Sequence, residues 1–277
     1  MESRRYLGTG VVHLILLSYT AIALFPIFMI LINAFKSRKG IFKAPLALPD
    51  AETFSVVGFT KVLQKSNFEV YFTNSITVTV VTLAIVLLTA AMAAWALAEY
   101  KFPGNTLLGL YLALGIMIPI RLGSVSILQL IVDLNLVNTL TALILVYTAQ
   151  GLPLAVFILT EFMRQIPNDL KEAARCDGIN EYRIFFHVIL PLTRPAIATV
   201  AVFTMVPIWN DLWFPLILAP SEGTQTITLG VQQFIGQYVT DWNAVLASLT
   251  LAIVPILLLY VLFSRQLIRG LTAGAVK

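Results

Sequence analysis

Glu172-Ala173-Ala174-Arg175-Cys176-Asp177-Gly178, continued by Val188-Ile189-Leu190-Pro191, is a polar helix–turn–helix signal set between two long apolar segments. Pro167-Asn168-Asp169 opens it; Asp169 is placed to cap free N–H groups, and Glu172 three residues on completes a capping-box pattern. Ala173 and Ala174 give the helix a low-relief surface that another protein can approach closely. Gly178 is expected to end it in the left-handed conformation that glycine adopts cheaply. A second helix is expected to start near Asn180-Glu181 and to stop before Pro191. Residues 164–194 thus read as a short rigid peg lying across a membrane surface.

The membrane is inferred from composition. Hydrophobic residues make up 58% of the 277, charged residues 12%, and mean hydropathy is +0.88, above what a soluble domain carries. A helix needs about 20 apolar residues to cross the ~30 Å hydrocarbon core. Charge-poor runs of that order predict an all-α protein of six spans in a single transmembrane domain, residues 1–277. The spans fall at about 11–35, 72–98, 104–121, 138–160, 195–220 and 242–264, with the polar loop between the fourth and fifth. Arg121–Asp133 encloses a run too short to cross and reads as an outer interfacial helix. Arg4-Arg5 before an apolar run imitates a signal peptide, but the run is long and lacks an Ala-x-Ala site, so a retained anchor is expected.

Six spans put both termini on one side. With the termini in the cytoplasm, Arg4, Arg5, Lys101, Arg164, Lys171, Arg175, Arg183, Arg194, Arg265, Arg269 and Lys277 lie inside. Lys36, Arg38, Lys39, Lys43, Lys61, Lys65 and Arg121 lie outside. Eleven against seven favours this orientation, and Arg4-Arg5 flank the first span, which usually dominates. The net charge of +4 is then a topology signal; no basic stripe or stacking platform points to nucleic acid. Lys36–Glu69, with Pro45, Pro49 and Gly58, reads as an ordered outer loop with a short helix. Lys101-Phe102-Pro103-Gly104 reads as a tight inner turn.

At the residue level the loop resembles the EAA loop of the permease subunits of ABC importers. That pattern runs Glu-Ala-Ala, three residues, Gly, nine residues, Ile, one residue, Leu-Pro, and the spacing holds here with Val188 in place of Ile. Ile208-Trp209-Asn210-Asp211-Leu212-Trp213-Phe214-Pro215-Leu216 resembles span five of carbohydrate permeases, and Gln237-Tyr238-Val239-Thr240-Asp241-Trp242 the outer approach to their last span. The tail Ile268–Lys277 is similar to the C-terminal signature of the second, maltose-type permease of sugar importers. The resemblance implies that Glu172, Ala173, Ala174, Asp177, Gly178, Leu190 and Pro191 couple the chain to an ATPase subunit through a docked helix. It also implies a second, non-identical permease, two ATPase subunits, an extracytoplasmic solute-binding protein and a carbohydrate substrate. The localisation implied is the bacterial inner membrane.

Span five carries the polar residues expected to face a pathway. Asp211 stands 17 residues beyond Arg194, roughly 25 Å along a helix, and an acid at that depth is expected to face a subunit interface or water. Trp209 and Trp213, four apart, are expected to share a face; with Asn210 they offer ring stacking and hydrogen bonding suited to a sugar, and Gln150 in span four extends that surface. The alternative is an interfacial tryptophan belt, with Asn210 and Asp211 pinning the packing of spans.

No phosphate-cradling Gly-x-x-x-x-Gly-Lys-Ser/Thr loop occurs, so the chain is not expected to hydrolyse ATP; ATP and Mg fall to the partner ATPase. Gly-x-Ser-x-Gly and His-Glu-x-x-His are absent, and His13 and His187 have no partners at ligand spacing, so neither catalysis, a cofactor nor a metal is expected. Cys176 is the sole cysteine, which excludes an internal disulfide. A secondary transporter or channel subunit is the competing class, but no internal repeat supports it.

Overall fold

The computed structural model describes residues 2–236 and 240–273, with side chains described for all of these except 2–9, 65 and 259–273. Gln237-Tyr238-Val239 and Gly274–Lys277, parts of two stretches that carry the resemblance, lie outside the described residues.

The fold is all-α. A chain this apolar must satisfy its backbone polar groups internally, and a helix does so within one segment. In chain order the helices are α1 (Glu2–Ala34), α2 (Arg38–Lys43), α3 (Val57–Lys65), α4 (Phe68–Glu99), α5 (Asn105–Met117), α6 (Ser124–Asp133) and α7 (Leu140–Met163). Then come α8 (Asn168–Cys176), α9 (Glu181–Ile184), α10 (Leu190–Leu192), α11 (Arg194–Asn210), α12 (Trp213–Leu218), α13 (Ile227–Val231) and α14 (Trp242–Ala273). Lys36–Glu69 holds two short helices, α2 and α3, where one was expected.

Among the described residues, Gly10–Ala34, Phe68–Glu99 and Leu140–Met163 are each long and apolar enough to cross a membrane. Two bent pairs are long and apolar enough when each is taken together, as a broken span or a re-entrant loop: Asn105–Met117 with Ile120–Asp133, turned by 84°, and Glu181–Leu192 with Arg194–Asn210, turned by 74°. Trp242–Leu258 is a shorter apolar helix. The chain turns sharply between α5 and Ile120–Asp133, near the expected boundary of the third span. The expected fifth span, 195–220, is interrupted. Asp211 is extended (ψ 134°), so α11 stops at Asn210 and α12 restarts at Trp213.

The chain divides into two compact units. In the first, residues up to Glu69 pack with Gly230–Val254. Here Lys36 is buried, its Nζ donating to Asn33 Oδ1 at 3.1 Å and to the Ala44 carbonyl at 2.9 Å. Asn243 Nδ2 donates to the Lys36 carbonyl at 2.7 Å. Gly58 must be glycine, since a Cβ there would lie 2.2 Å from the Asn243 carbonyl oxygen. The second unit, Val70–Leu229 and Pro255 onward, has two apolar cores. One joins α4, α7, α8 and α11 through Ala94, Leu159, Ala174 and Val200; the other joins α6, α7 and α12 through Ile131, Leu143 and Leu218.

Candidate functional site

The polar loop forms the helix pair expected of it, with two changes. α8 begins at Asn168 after Pro167, without a side-chain cap. Asp169 lies inside the first turn rather than at the capping position, because Pro167 takes that position two residues earlier, so the Asp169–Glu172 capping box does not form. The C-terminus is as expected: Gly178 has φ +72°, its N–H donates to the Arg175 carbonyl at 3.0 Å, and the Ile179 N–H donates to the Ala174 carbonyl at 3.1 Å. These are the paired bonds of a Schellman cap. Asn180 then caps α9, its Oδ1 accepting from the Arg183 N–H at 2.9 Å.

The second helix does not stop before Pro191. Residues 185–189 widen to a π-helical turn, the Leu190 N–H reaches the Phe185 carbonyl, and the helix runs on through Pro191 to Leu192. Proline lacks an N–H and its ring crowds the carbonyl four residues back; the wider turn relieves that conflict. Leu190 packs against the core joining α4 to α11.

α8 has two faces. Lys171 and Ala174 are buried, whereas Leu170, Glu172, Ala173 and Asp177 are exposed. Around them Ile179 and Tyr182 are also exposed, Tyr182 to 76%. On the buried side Lys171 Nζ donates to Glu99 Oε2 at 2.6 Å and sits 5.7 Å from the Trp95 ring centroid. Arg175 donates to Glu99 Oε1 at 2.6 Å and to Glu181 Oε1 at 2.7 Å; Tyr100 Oη donates to Glu181 Oε2 at 2.9 Å. These bonds tie α8 and α9 to the end of α4. Burial first, then the bond to Glu181, holds the Tyr100 phenol above its usual range. Cys176 is a free, exposed thiol.

The second cluster of expected site residues surrounds the α11–α12 break. Asp211 is buried. Its carboxylate accepts from Arg121 Nη2 at 3.1 Å, Tyr147 Oη at 2.9 Å and the Phe214 N–H at 3.0 Å. It is turned into the fold, not towards an outer face, because these donors replace the water a charged group needs. Trp209 and Trp213 do not share a face, since the helix ends between them. Trp209 is buried edge-on to Phe72, centroids 6.1 Å apart, while Trp213 is 43% exposed and donates Nε1–H to Ser124 Oγ at 2.8 Å. Asn210 is exposed, its Nδ2 donating to the Val206 carbonyl at 2.9 Å. Gln150 is exposed on α7, and no hydrogen bond joins it to Asn210 or Asp211.

Residues 85–272 match the family described as the binding-protein-dependent transport system inner membrane component. The chain belongs to that family. Across its length it is similar to the diacetylchitobiose uptake system permease protein NgcG of Streptomyces coelicolor, 33% identical over 99% of this chain and 90% of that one. It is also 33% identical to the arabinooligosaccharides transport system permease protein AraQ of Halalkalibacterium halodurans, over 92% of each. Its fold matches a chain of a bacterial ABC transporter involved in import of the acidic polysaccharide alginate, with a TM-score of 0.81 at 20% identity over 96% of this chain and 98% of that one. It is therefore a multi-pass inner membrane transport component, a permease and not an enzyme by family.

In this inner membrane component several residues central to the geometry escape a reading of the sequence. Glu99 ends an apolar run and reads as a boundary marker; its partners are 72 and 76 positions away. Tyr147 lies unmarked in an apolar run 64 positions from Asp211. The one usable signal is that Asp211 is a lone acid in a span, which requires a partner somewhere.

Proposed function

We propose that the chain is one of two non-identical permease subunits of an ATP-driven, binding-protein-dependent importer of a sugar, oligosaccharide or sugar derivative. It crosses the membrane six times with both termini in the cytoplasm, and α8 docks on one of two partner ATPase subunits, which bind ATP and Mg. A solute-binding protein delivers substrate from the other side. The carbohydrate class rests on relatives whose names specify diacetylchitobiose, arabinooligosaccharides and starch degradation products.

The observation that carries the coupling is the split face of α8. Glu172, Ala173 and Asp177 stand clear on one side, while Lys171 and Arg175 bind Glu99 on the other. A stiff helix so held passes rigid-body motion of a partner into the helices behind it. Leu190 and Pro191 set where the second helix rejoins α11. Asn210, Trp213 and Gln150, all exposed, line the pathway in this reading; Trp209 and Asp211 shape it from behind.

The test is reconstitution in proteoliposomes with the second permease, the ATPase and the binding protein. Uptake of a labelled oligosaccharide that needs all four components and ATP is expected. Uptake by the chain alone down an ion gradient would instead establish a secondary transporter.

A further inference from the structure

We propose that the crevice bounded by the end of α4, the start of α5 and the end of α7 binds a zwitterionic glycerophospholipid with a primary-amine headgroup, of the phosphoethanolamine type. Two adjoining cavities share Leu97, Asn105, Thr106 and Arg164. One, about 320 Å3, has largely apolar walls, including Leu110, Ala113 and Phe157. The other, about 520 Å3, is more polar, with Glu99, Tyr100 and Lys101 as well as Phe102 and Pro103 in its wall. An apolar slot beside a polar one is the shape of a molecule with a chain and a headgroup, and α5 carries exposed Leu107 and Tyr111 beside them, as a lipid-facing helix does.

The headgroup chemistry follows from the polar residues. Arg164 Nη1 donates to Glu161 Oε1 at 2.8 Å, and both side chains are about half exposed. One of the guanidinium's five N–H groups is used there, leaving donors for a phosphate. α5 opens at Gly104 (φ +91°), which supplies no capping side chain, so the helix start adds further attraction for an anion. Lys101 contributes a second cation to the same wall. Glu161 lines the apolar cavity beside Arg164, which borders both cavities, and its Oε2 is left for a cation. Thr160 also lines the apolar cavity and is buried.

Guanidinium beside carboxylate selects among lipids. A phosphoethanolamine presents a phosphate to Arg164 and an N–H-bearing ammonium to Glu161. A phosphocholine has no N–H to give, and a phosphoglycerol has no cation, so Glu161 repels it. The leaflet that supplies the lipid rests on the orientation proposed above; the binding itself does not.

The test uses the full-length chain with the subunits that copurify, reconstituted in nanodiscs holding equal fractions of phosphatidylethanolamine, phosphatidylcholine and phosphatidylglycerol, then analysed by native mass spectrometry. At least one phosphatidylethanolamine is expected to be retained, enriched about tenfold over phosphatidylcholine, with the enrichment lost in Arg164→Ala. Glu161→Gln, nearly isosteric and still able to accept a hydrogen bond, keeps the fold and is expected to shift retention towards phosphatidylglycerol. Equal retention of the three lipids, retention of none, or a wild-type preference unchanged in Glu161→Gln overturns the proposal. Uptake assays are not part of the readout, so failure here is distinct from failure of the importer assignment.

Discussion

Lys171 Nζ donates to Glu99 Oε2 at 2.6 Å with both side chains largely buried, so α8 is fastened to the end of α4 as well as to its chain neighbours α7 and α9. Removing one buried charge leaves the other uncompensated, a cost of about 3–5 kcal/mol. Glu99→Ala strands the Lys171 ammonium and is expected to cost that much. Lys171→Met removes the cation itself while Glu99 keeps Arg175, so its cost should be well below that of Glu99→Ala. The double variant is then expected to be more stable than Glu99→Ala alone. Thermal unfolding of the purified chain orders the three. In the reconstituted system all three are expected to hydrolyse more ATP per substrate imported than wild type.

Gly178 and Glu172 separate the shape of α8 from its contacts. A Cβ at Gly178 meets no neighbour within 4 Å, so the penalty of a side chain lies in the backbone at φ +72°. Gly178→Val is expected to cost about 1–3 kcal/mol, whereas Gly178→Asn, which tolerates that region, should cost much less. Glu172 is exposed and makes no part of the Glu99 network. Glu172→Lys should therefore leave unfolding unchanged and abolish copurification of the ATPase. A loss of stability equal to that of Gly178→Val would show that Glu172 acts within the fold.

How much of this was legible follows from distance along the chain. The Schellman cap at Gly178 and the Asn180 start of α9 are set by residues within five positions of each other, so local chemistry specifies them. The turn at Gly104, with φ +91°, is local in the same way. The α11 break was not readable, because a lone Asp in an apolar run is compatible with a continuous helix. The bonds at the break are partly local, the Asp211 carboxylate accepting from the Phe214 N–H to cap α12, and partly distant, with donors from Arg121 and Tyr147, 90 and 64 positions away. Likewise the continuation through Pro191 depends on a π-turn that proline alone does not announce.

Asp241 pairs with Lys61 and accepts from the Ala244 N–H at 3.3 Å. Burial opposes its ionisation, but the bond from Lys61 and those backbone donors prevail and hold its carboxyl below the usual range. A carboxyl depressed on folding stabilises the folded state above its unfolded value of about 3.9, and that contribution is lost as pH falls through the folded value. Wild type is therefore expected to unfold at higher temperature than Asp241→Asn by a constant margin from pH 7 to about pH 5. The margin should shrink below about pH 4. A margin that grows on acidification would contradict the pairing.

The residues at the α11–α12 break should divide into those that hold it and those that face outward. Asp211→Ala leaves the buried Tyr147 hydroxyl and the Phe214 N–H without an acceptor, at about 1–3 kcal/mol each. Arg121 is 67% exposed, so Arg121→Ala should cost no more than about 1 kcal/mol. Trp209→Ala empties a buried site against Phe72 and is expected to cost about 3–5 kcal/mol. Asn210 and Trp213 differ in kind: Asn210 bonds only its own helix, and the Trp213 ring is exposed beyond its bond to Ser124. Asn210→Ala and Trp213→Leu are therefore expected to leave complex abundance near wild type. If they line the pathway, both should raise the apparent KM for the oligosaccharide or reorder preference across a sugar panel. Unaltered transport in both, alongside normal abundance, would assign the exposed surface of this break to packing against another subunit or lipid instead.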